Sequence, residues 1–362
     1  YNLFYHSLFY TLKIKYYIIV EMSKRGIQYF TLSELEPRIW FMLTGCNFRC
    51  KGCFRPARDD GVGTLLSAEE TLEKAEQACL KHYGKLPTKA MITGGEPTLD
   101  KDYLLALVKG LKGKGFGEIV LMSNGYEIGR EENGNYAGEL RDAGVTEAHI
   151  DIKAFSEDIH KWYTGKSNKP VLKAVAALND TGIELLIQTV YMPGIVDEKE
   201  TEQIAIFLSS LNRDIKYRIN PFAPTFAFEQ VTRRPTIEEM EYAYELASKH
   251  LSNAIISRSC YREYPTPPAQ ETWITVYPDA KLTSKRRTIE DQKEDRILWF
   301  SHSKSKPREE IVHELALERE RDDSDYRERL EKVTRRFSPS TSNQGTSSNK
   351  NKNNKKPRDS TR

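Results

Sequence analysis

Between residues 38 and 251 the chain alternates between two rhythms. Short apolar runs of β character at 39–44, 90–93, 118–122, 148–153, 184–190 and 215–220 are separated by segments whose apolar residues recur every three or four positions. Leu104, Leu107, Val108 and Leu111 form one such helical stripe, and Ile204, Phe207, Leu208 and Leu211 form another. Ser67 with Glu70, and Thr236 with Glu239, have the spacing of a capping box, so helices are predicted to open there. Strand and helix alternating six times predict an α/β fold with a parallel sheet and right-handed crossovers. Six units fall short of the eight that close a TIM barrel. The expected architecture is therefore an open, partial (β/α)6 TIM-like barrel with its functional residues at the C-terminal ends of the strands.

The rhythm fades on both sides of this region, which sets the expected domain organisation. Residues 1–25 read as an N-terminal extension outside the fold, 26–251 as the partial barrel, and 252–300 as a C-terminal extension of its core, with a strand at 272–277 and a short helix ending near Phe300. Residues 301–337 read as a charged helical segment and 338–362 as a disordered basic tail of Ser, Asn and Lys. With 38% hydrophobic and 30% charged residues, the chain can bury the core of one sizeable domain. The tail changes the meaning of the formal charge of +3, because it holds Lys350, Lys352, Lys355, Lys356, Arg358 and Arg362 against Asp359 alone. The rest of the chain is thus slightly acidic, and contact with nucleic acid is expected only through the tail. Residues 1–21 are aromatic and apolar, but Lys13 and Lys15 interrupt them. They lack the charged start and cleavage site of a signal peptide and are too interrupted for a spanning helix, so no membrane partner is expected. Five cysteines, three of them within eight residues, do not form a disulfide framework; a reducing, cytoplasmic setting is expected.

Those three carry the chemistry. Cys46-Asn-Phe-Arg-Cys50-Lys-Gly-Cys53 directly follows the first strand of the pattern, and close-spaced thiolates on one loop are natural ligands of an iron-sulfur cluster. Three ligands for a four-iron cube leave one iron open for chemistry. The competing reading is structural zinc, which needs a fourth ligand from the distant His82, His149 or His160. Cys79 falls in register with Leu72 and Ala75 as a core residue, and Cys260 is isolated. Thr93-Gly94-Gly95-Glu96-Pro97 ends the second strand; paired glycines let a ligand reach the backbone, although a plain turn would look the same. On the fourth strand His149, Asp151 and Lys153 alternate with Ile150 and Ile152, and on the sixth Lys216, Arg218 and Asn220 alternate with Ile215, Tyr217 and Ile219. Asp151 and Lys153 thus reach the barrel interior together, as a ligand site or as a structural ion pair.

In this order the cysteine run, Gly94 to Pro97, Ser123-Asn124-Gly125, Asp151-Ile152-Lys153 and Met192-Pro193-Gly194 resemble the radical S-adenosylmethionine superfamily, and within it the pyruvate formate-lyase activating enzyme group. The resemblance spans about residues 26–225. It implies an enzyme in which Cys46, Cys50 and Cys53 hold a [4Fe-4S] cluster. The open iron would chelate the amino and carboxylate groups of S-adenosyl-L-methionine, and an electron would break its S–C5′ bond to give a 5′-deoxyadenosyl radical that abstracts hydrogen from substrate. Gly94, Gly95, Glu96 and Pro97 would receive the cofactor's amino group, and Asp151 and Lys153 would hold its ribose and carboxylate. Ser123, Asn124 and Gln188 complete the expected cofactor site. Partners implied are an external flavodoxin- or ferredoxin-like reductant and, as substrate, a glycyl-radical protein; RNA, another protein or a small metabolite is the alternative substrate, and a non-catalytic cofactor-binding protein the alternative class. The chain departs from the group's pattern at four places: Gly52 replaces an aromatic residue, leaving adenine packing to a residue such as Phe54, and Gln188 replaces an Arg, Ala223 a His and Met122 an Asp.

Overall fold

The computed structural model describes residues 23–33, 36–53, 56–58, 63–224, 227–257, 273–278 and 283–287, and these are the subject of all that follows. Phe54, Cys260, the helix expected near Phe300 and the segments 301–337 and 338–362 lie outside them.

The described chain runs β1 (Arg25–Ser33), β2 (Arg38–Leu43), β3 (Thr64–Leu66), α1 (Ala68–Tyr83), β4 (Lys89–Gly94), α2 (Lys101–Gly113), β5 (Glu118–Ser123), α3 (Tyr136–Ala143), β6 (Glu147–Asp151), α4 (Glu157–Thr164), α5 (Lys169–Thr181), β7 (Glu184–Tyr191), α6 (Glu198–Leu211), β8 (Lys216–Pro221), α7 (Ile237–Ser248), β9 (Ala254–Ile256), β10 (Trp273–Tyr277) and β11 (Thr283–Arg287). One sheet holds all the strands in the order β11-β10-β1-β2-β4-β5-β6-β7-β8-β9, with β3 beside β1. From β2 to β9 every pairing is parallel, which produces the expected partial barrel. The sheet does not close: β9 and β11 are its two ends. The expected strand at 272–277 is β10, which pairs antiparallel with β1, Phe30 opposite Val276.

Side-chain alternation divides the sheet into two faces. Ile39, Phe41, Ala90, Ile92, Ile119, Leu121, Ala148, Ile150, Ile187, Tyr217 and Ile219 are fully buried on the face covered by helices. Opposing them, all four residues of the Leu104–Leu111 stripe are equally buried, each worth roughly 1.5–3 kcal/mol of transfer free energy. The helices start where the sequence caps them. Ser67 and Glu70 exchange hydrogen bonds at the head of α1, and Thr236 and Glu239 do so at the head of α7. Cys79 is wholly buried on α1, as its spacing predicted. The opposite face of the sheet is concave and carries the polar set of β6 to β8: His149, Asp151, Gln188, Arg218 and Asn220. A parallel sheet covered on both faces would read as apolar runs, so this polar alternation marks a face reserved for something other than core.

Candidate active site at the C-terminal ends of the strands

The cysteine loop follows β2 and is fixed by its own backbone. The Arg49 and Lys51 amides donate to the Thr164 and Tyr163 carbonyls at the end of α4, at 2.8 and 3.0 Å. On the other side the Glu229 and Phe228 amides donate to the Lys51 and Cys53 carbonyls, at 2.6 and 2.7 Å. The loop is therefore strapped between a helix end and the segment after β8, with Phe48 buried edge-on against His160 and Tyr126. Gly52 is required by this packing: a Cβ there would lie 2.6 Å from both the Phe222 ring and the Tyr163 hydroxyl. Tyr163 and Phe222, both buried, fill the space beside Gly52. Gly52→Ala is expected to cost about 1–3 kcal/mol by overpacking, measured by thermal or denaturant unfolding; Phe222→Leu in the same background should recover part of that loss. An unchanged midpoint in Gly52→Ala would refute the tight fit.

The second strand of the barrel pattern, β4, ends in the glycine turn. Gly94 has φ +134°, and a Cβ on it would fall 1.9 Å from the Leu43 carbonyl oxygen; one on Gly95 would fall 2.1 Å from that of Gly45. The turn and the root of the cysteine loop thus lie backbone against backbone, joined by Gly95 N–H to Leu43 O (2.8 Å) and Glu96 N–H to Gly45 O (2.7 Å). The Glu96 carboxylate is turned away from the open side. It is buried and accepts from Thr98 N, Thr98 Oγ1, Ser123 Oγ and Asn124 N at 2.6–3.0 Å. Burial pushes its carboxyl above the ordinary range, and those donors pull it back only in part. Glu96 therefore positions the Ser123-Asn124-Gly125 turn, while Asn124 Nδ2 reaches Asn47 Oδ1 (2.8 Å) and lies 3.9 Å from Cys46 Sγ.

Asp151 and Lys153 form an ion pair of 3.0 Å at the end of β6, and Cys50 and Tyr163 lie in the same field. Burial opposes the Lys153 charge, but the Asp151 carboxylate beside it, and Cys50 once it is a thiolate, outweigh it, so the ammonium loses its proton less readily than a free lysine. The loop after Lys153 is held by Glu200 of α6, which accepts from the Phe155 and Ser156 amides at 2.7 and 3.0 Å. Gln188 stands beside Asp151 in the sheet register. Burial pushes the Cys46 and Cys50 thiols up to about 12. Among the described residues no three His, Cys, Asp or Glu side chains are close enough to hold a single metal ion. His149 bonds Glu147, His160 donates through Nδ1 to the Lys166 carbonyl, and His82 packs on Tyr83. The zinc reading thus finds no fourth ligand here. The three thiols stand together on one strapped loop, with the Asn124 amide 3.9 Å from Cys46 Sγ, a donor set whose chemistry is that of iron-sulfur ligation.

Arg25 belongs to the site although no motif marks it. Buried on β1, it donates through Nη2 to the Thr44 and Glu96 carbonyls (2.8 and 3.1 Å) and through Nη1 to that of Pro97 (3.4 Å), pinning the glycine turn to the loop root. Its neighbours are backbone oxygens, which have no side-chain signature; only its place in an apolar strand could have drawn notice. Met192-Pro193-Gly194 forms a tight turn after β7, closed by the Met192–Val196 bridge.

Comparison with known proteins agrees with this geometry. The family pattern described as the radical SAM superfamily matches residues 40–208. A Methanocaldococcus jannaschii protein, whose name places it among glycyl-radical enzyme activating enzymes, is 36% identical over 230 residues, covering 62% of this chain and 82% of its own. The pyruvate formate-lyase-activating enzyme of Streptococcus mutans is 27% identical over 191 residues, 51% of this chain and 71% of its own. The crystal structure of Streptococcus suis SuiB bound to S-adenosylmethionine superposes with a TM-score of 0.51 at 13% identity, covering 70% of this chain and 63% of that one, a likeness of fold. A loop of three cysteines at the mouth of an open parallel barrel, and a relative of this identity aligned over most of its length, identify the chain as an enzyme of the radical SAM superfamily.

Proposed function

We propose that the chain cleaves S-adenosylmethionine reductively and uses the resulting 5′-deoxyadenosyl radical to abstract hydrogen, with a glycyl-radical protein as the substrate. The observation that carries this reading is the convergence of the Cys46–Cys53 loop, the Gly94–Pro97 turn and the Asp151–Lys153 pair at one end of the sheet. Cys46, Cys50 and Cys53 would hold a [4Fe-4S] cluster, whose reduced form supplies the electron when bound. The bare backbone at Gly94 and Gly95, the Ser123-Asn124 turn, Asp151, Lys153 and Gln188 would hold the cofactor, Lys153 facing its carboxylate and Asp151 its ribose. An external flavodoxin- or ferredoxin-like reductant would approach the cysteine loop, where Arg49 is exposed and the Lys51 ammonium stands 5.5 Å over the exposed ring of Trp162. The names of the Methanocaldococcus and Streptococcus mutans relatives support the choice of a glycyl-radical partner. Among the described residues no helix is long and apolar enough to cross a membrane. Free, close-spaced thiols favour a reducing compartment, and on that ground we assign the protein to the cytoplasm.

The direct test is to reduce the reconstituted protein anaerobically with S-adenosylmethionine and measure 5′-deoxyadenosine, then to look for a glycyl-radical EPR signal on a co-encoded partner. No 5′-deoxyadenosine above the unreduced control would sink the reading. Lys153→Ala is expected to weaken S-adenosylmethionine binding by about 1–3 kcal/mol, as for loss of one charge-assisted contact, with iron content unchanged. Unchanged affinity in that variant would make the ion pair structural.

A further inference from the structure

Among the described side chains of β6 to β8, one charge on the concave face is left over. The parallel register sets Asp151 of β6 beside Gln188 of β7, and Gln188 beside Arg218 of β8, in one row across three strands. Arg218 shares its face with Asn220, whose Nδ2 lies 3.5 Å from Gln188 Oε1, and it alternates with Tyr217 and Ile219, both buried beneath the helices. Its guanidinium therefore belongs to the concavity.

The other charges that β6 to β8 place on that face are matched. Glu147 is engaged by His149 at 2.7 Å, Asp151 by Lys153 at 3.0 Å, and Glu184 by Lys216. Arg218, half-buried, has neither an ion-pair partner nor a hydrogen bond among the described residues. Burial makes its proton less tightly held than usual, with Glu147 only partly compensating at longer range. Withdrawing a guanidinium from water with no counterion is costly, and a planar, bidentate donor of this kind is suited to a carboxylate or phosphate arriving from outside. The row also opens in the right direction. Among the described residues, what lies beyond Arg218 in the sheet is the three-residue edge strand β9, whose Ile255 pairs with Arg218 and is 40% exposed. At the strand spacing of a sheet, Arg218 is two strands, about 10 Å, from Asp151.

We propose that Arg218 anchors a carboxylate or phosphate of the molecule that the radical attacks, holding it at the open edge of the barrel beside the cofactor. The inference rests on assigning Asp151 and Lys153 to S-adenosylmethionine; the anion then occupies the part of the same row that the cofactor leaves free. Gln188 and Asn220 contribute neutral donors to its flank.

The test uses the full-length, anaerobically reconstituted protein with S-adenosylmethionine, titrated with sodium phosphate and, separately, sodium acetate at constant ionic strength, and followed by its thermal midpoint. Wild type should show a saturable rise with at least one anion. Arg218→Gln should weaken that response about tenfold or more, and Arg218→Lys should retain a weaker form of it. Uncoupled formation of 5′-deoxyadenosine, and the affinity for S-adenosylmethionine, should stay within about twofold of wild type in both variants. An equal anion response in Arg218→Gln, or none in wild type, overturns the proposal. So does a loss of S-adenosylmethionine affinity in Arg218→Gln comparable to that of Lys153→Ala, which would hand Arg218 to the cofactor's own carboxylate. Anion binding through Arg218 in a protein that yields no 5′-deoxyadenosine would keep the anion site and overturn the cofactor reading instead.

Discussion

Reconstituted anaerobically with iron and sulfide, the full chain is expected to hold about four iron and four sulfide, and replacing Cys46, Cys50 and Cys53 together by Ala should bring both to background. Reductive cleavage of S-adenosylmethionine should vanish with them, because these three thiols are the proposed ligands of the cluster that supplies the electron. The fold should survive. The backbone bonds that strap the loop, from Arg49 and Lys51 to the end of α4 and from Phe228 and Glu229 to Lys51 and Cys53, involve no thiol. The triple variant should therefore keep the circular dichroism spectrum of the metal-free wild type and a thermal midpoint close to its own. Iron retained by the triple variant, or one tightly bound zinc and no iron-sulfur absorbance in wild type, would refute the assignment.

Glu96→Ala is expected to be the most damaging single substitution outside the loop. It leaves four donors, on Thr98, Ser123 and Asn124, facing a buried space with no acceptor. Each such group costs roughly 1–3 kcal/mol, and relaxation and entering water recover part, so a net loss of about 3–5 kcal/mol in denaturant unfolding is expected. Glu96→Gln keeps the shape and one acceptor oxygen and should fall between the two. Ser123→Ala removes one of the four and should cost about 1 kcal/mol. If Glu96→Ala unfolds at the same denaturant concentration as wild type, the carboxylate is not the hub of the turn. Weakened S-adenosylmethionine binding in Glu96→Gln, at unchanged iron content, would show the hub acting through the Asn124 turn, since its own carboxylate faces inward.

What was legible in the chain follows from which interactions are local. The six strands of the pattern lie within a residue or two of their apolar runs, because a βα unit writes strand, turn and cap into one stretch of sequence. Alternation on β6 and β8 separated Asp151, Lys153, Arg218 and Asn220 from the buried Ile150, Ile152, Tyr217 and Ile219 for the same reason. β1 escaped notice: Arg-Gly-Ile-Gln-Tyr-Phe-Thr-Leu-Ser is no continuous apolar run, and it lies in the sheet antiparallel to β2 on one side and to β10, more than two hundred residues later, on the other. Gly52 read as a missing aromatic, since nothing near it in sequence shows that Tyr163 and Phe222 occupy the space. Glu96 was expected among the cofactor residues with the rest of its motif, and sequence spacing could not reveal that its side chain faces Thr98 and Ser123 while its backbone faces Gly45.

The strapping of the cysteine loop also bears on how such a protein ages. In small metal-dependent domains the ion and the fold are one equilibrium, so losing the metal means unfolding and clearance. Here the loop is held by amides and carbonyls of α4 and of the segment after β8, none of which involves a sulfur. If these sulfurs hold the proposed cluster, oxygen that strips its iron should leave behind an intact, refillable scaffold. The population in a cell would then divide into filled and empty molecules of one shape, and recovery from an oxidative episode would run at the speed of cluster delivery, with no need for new protein synthesis.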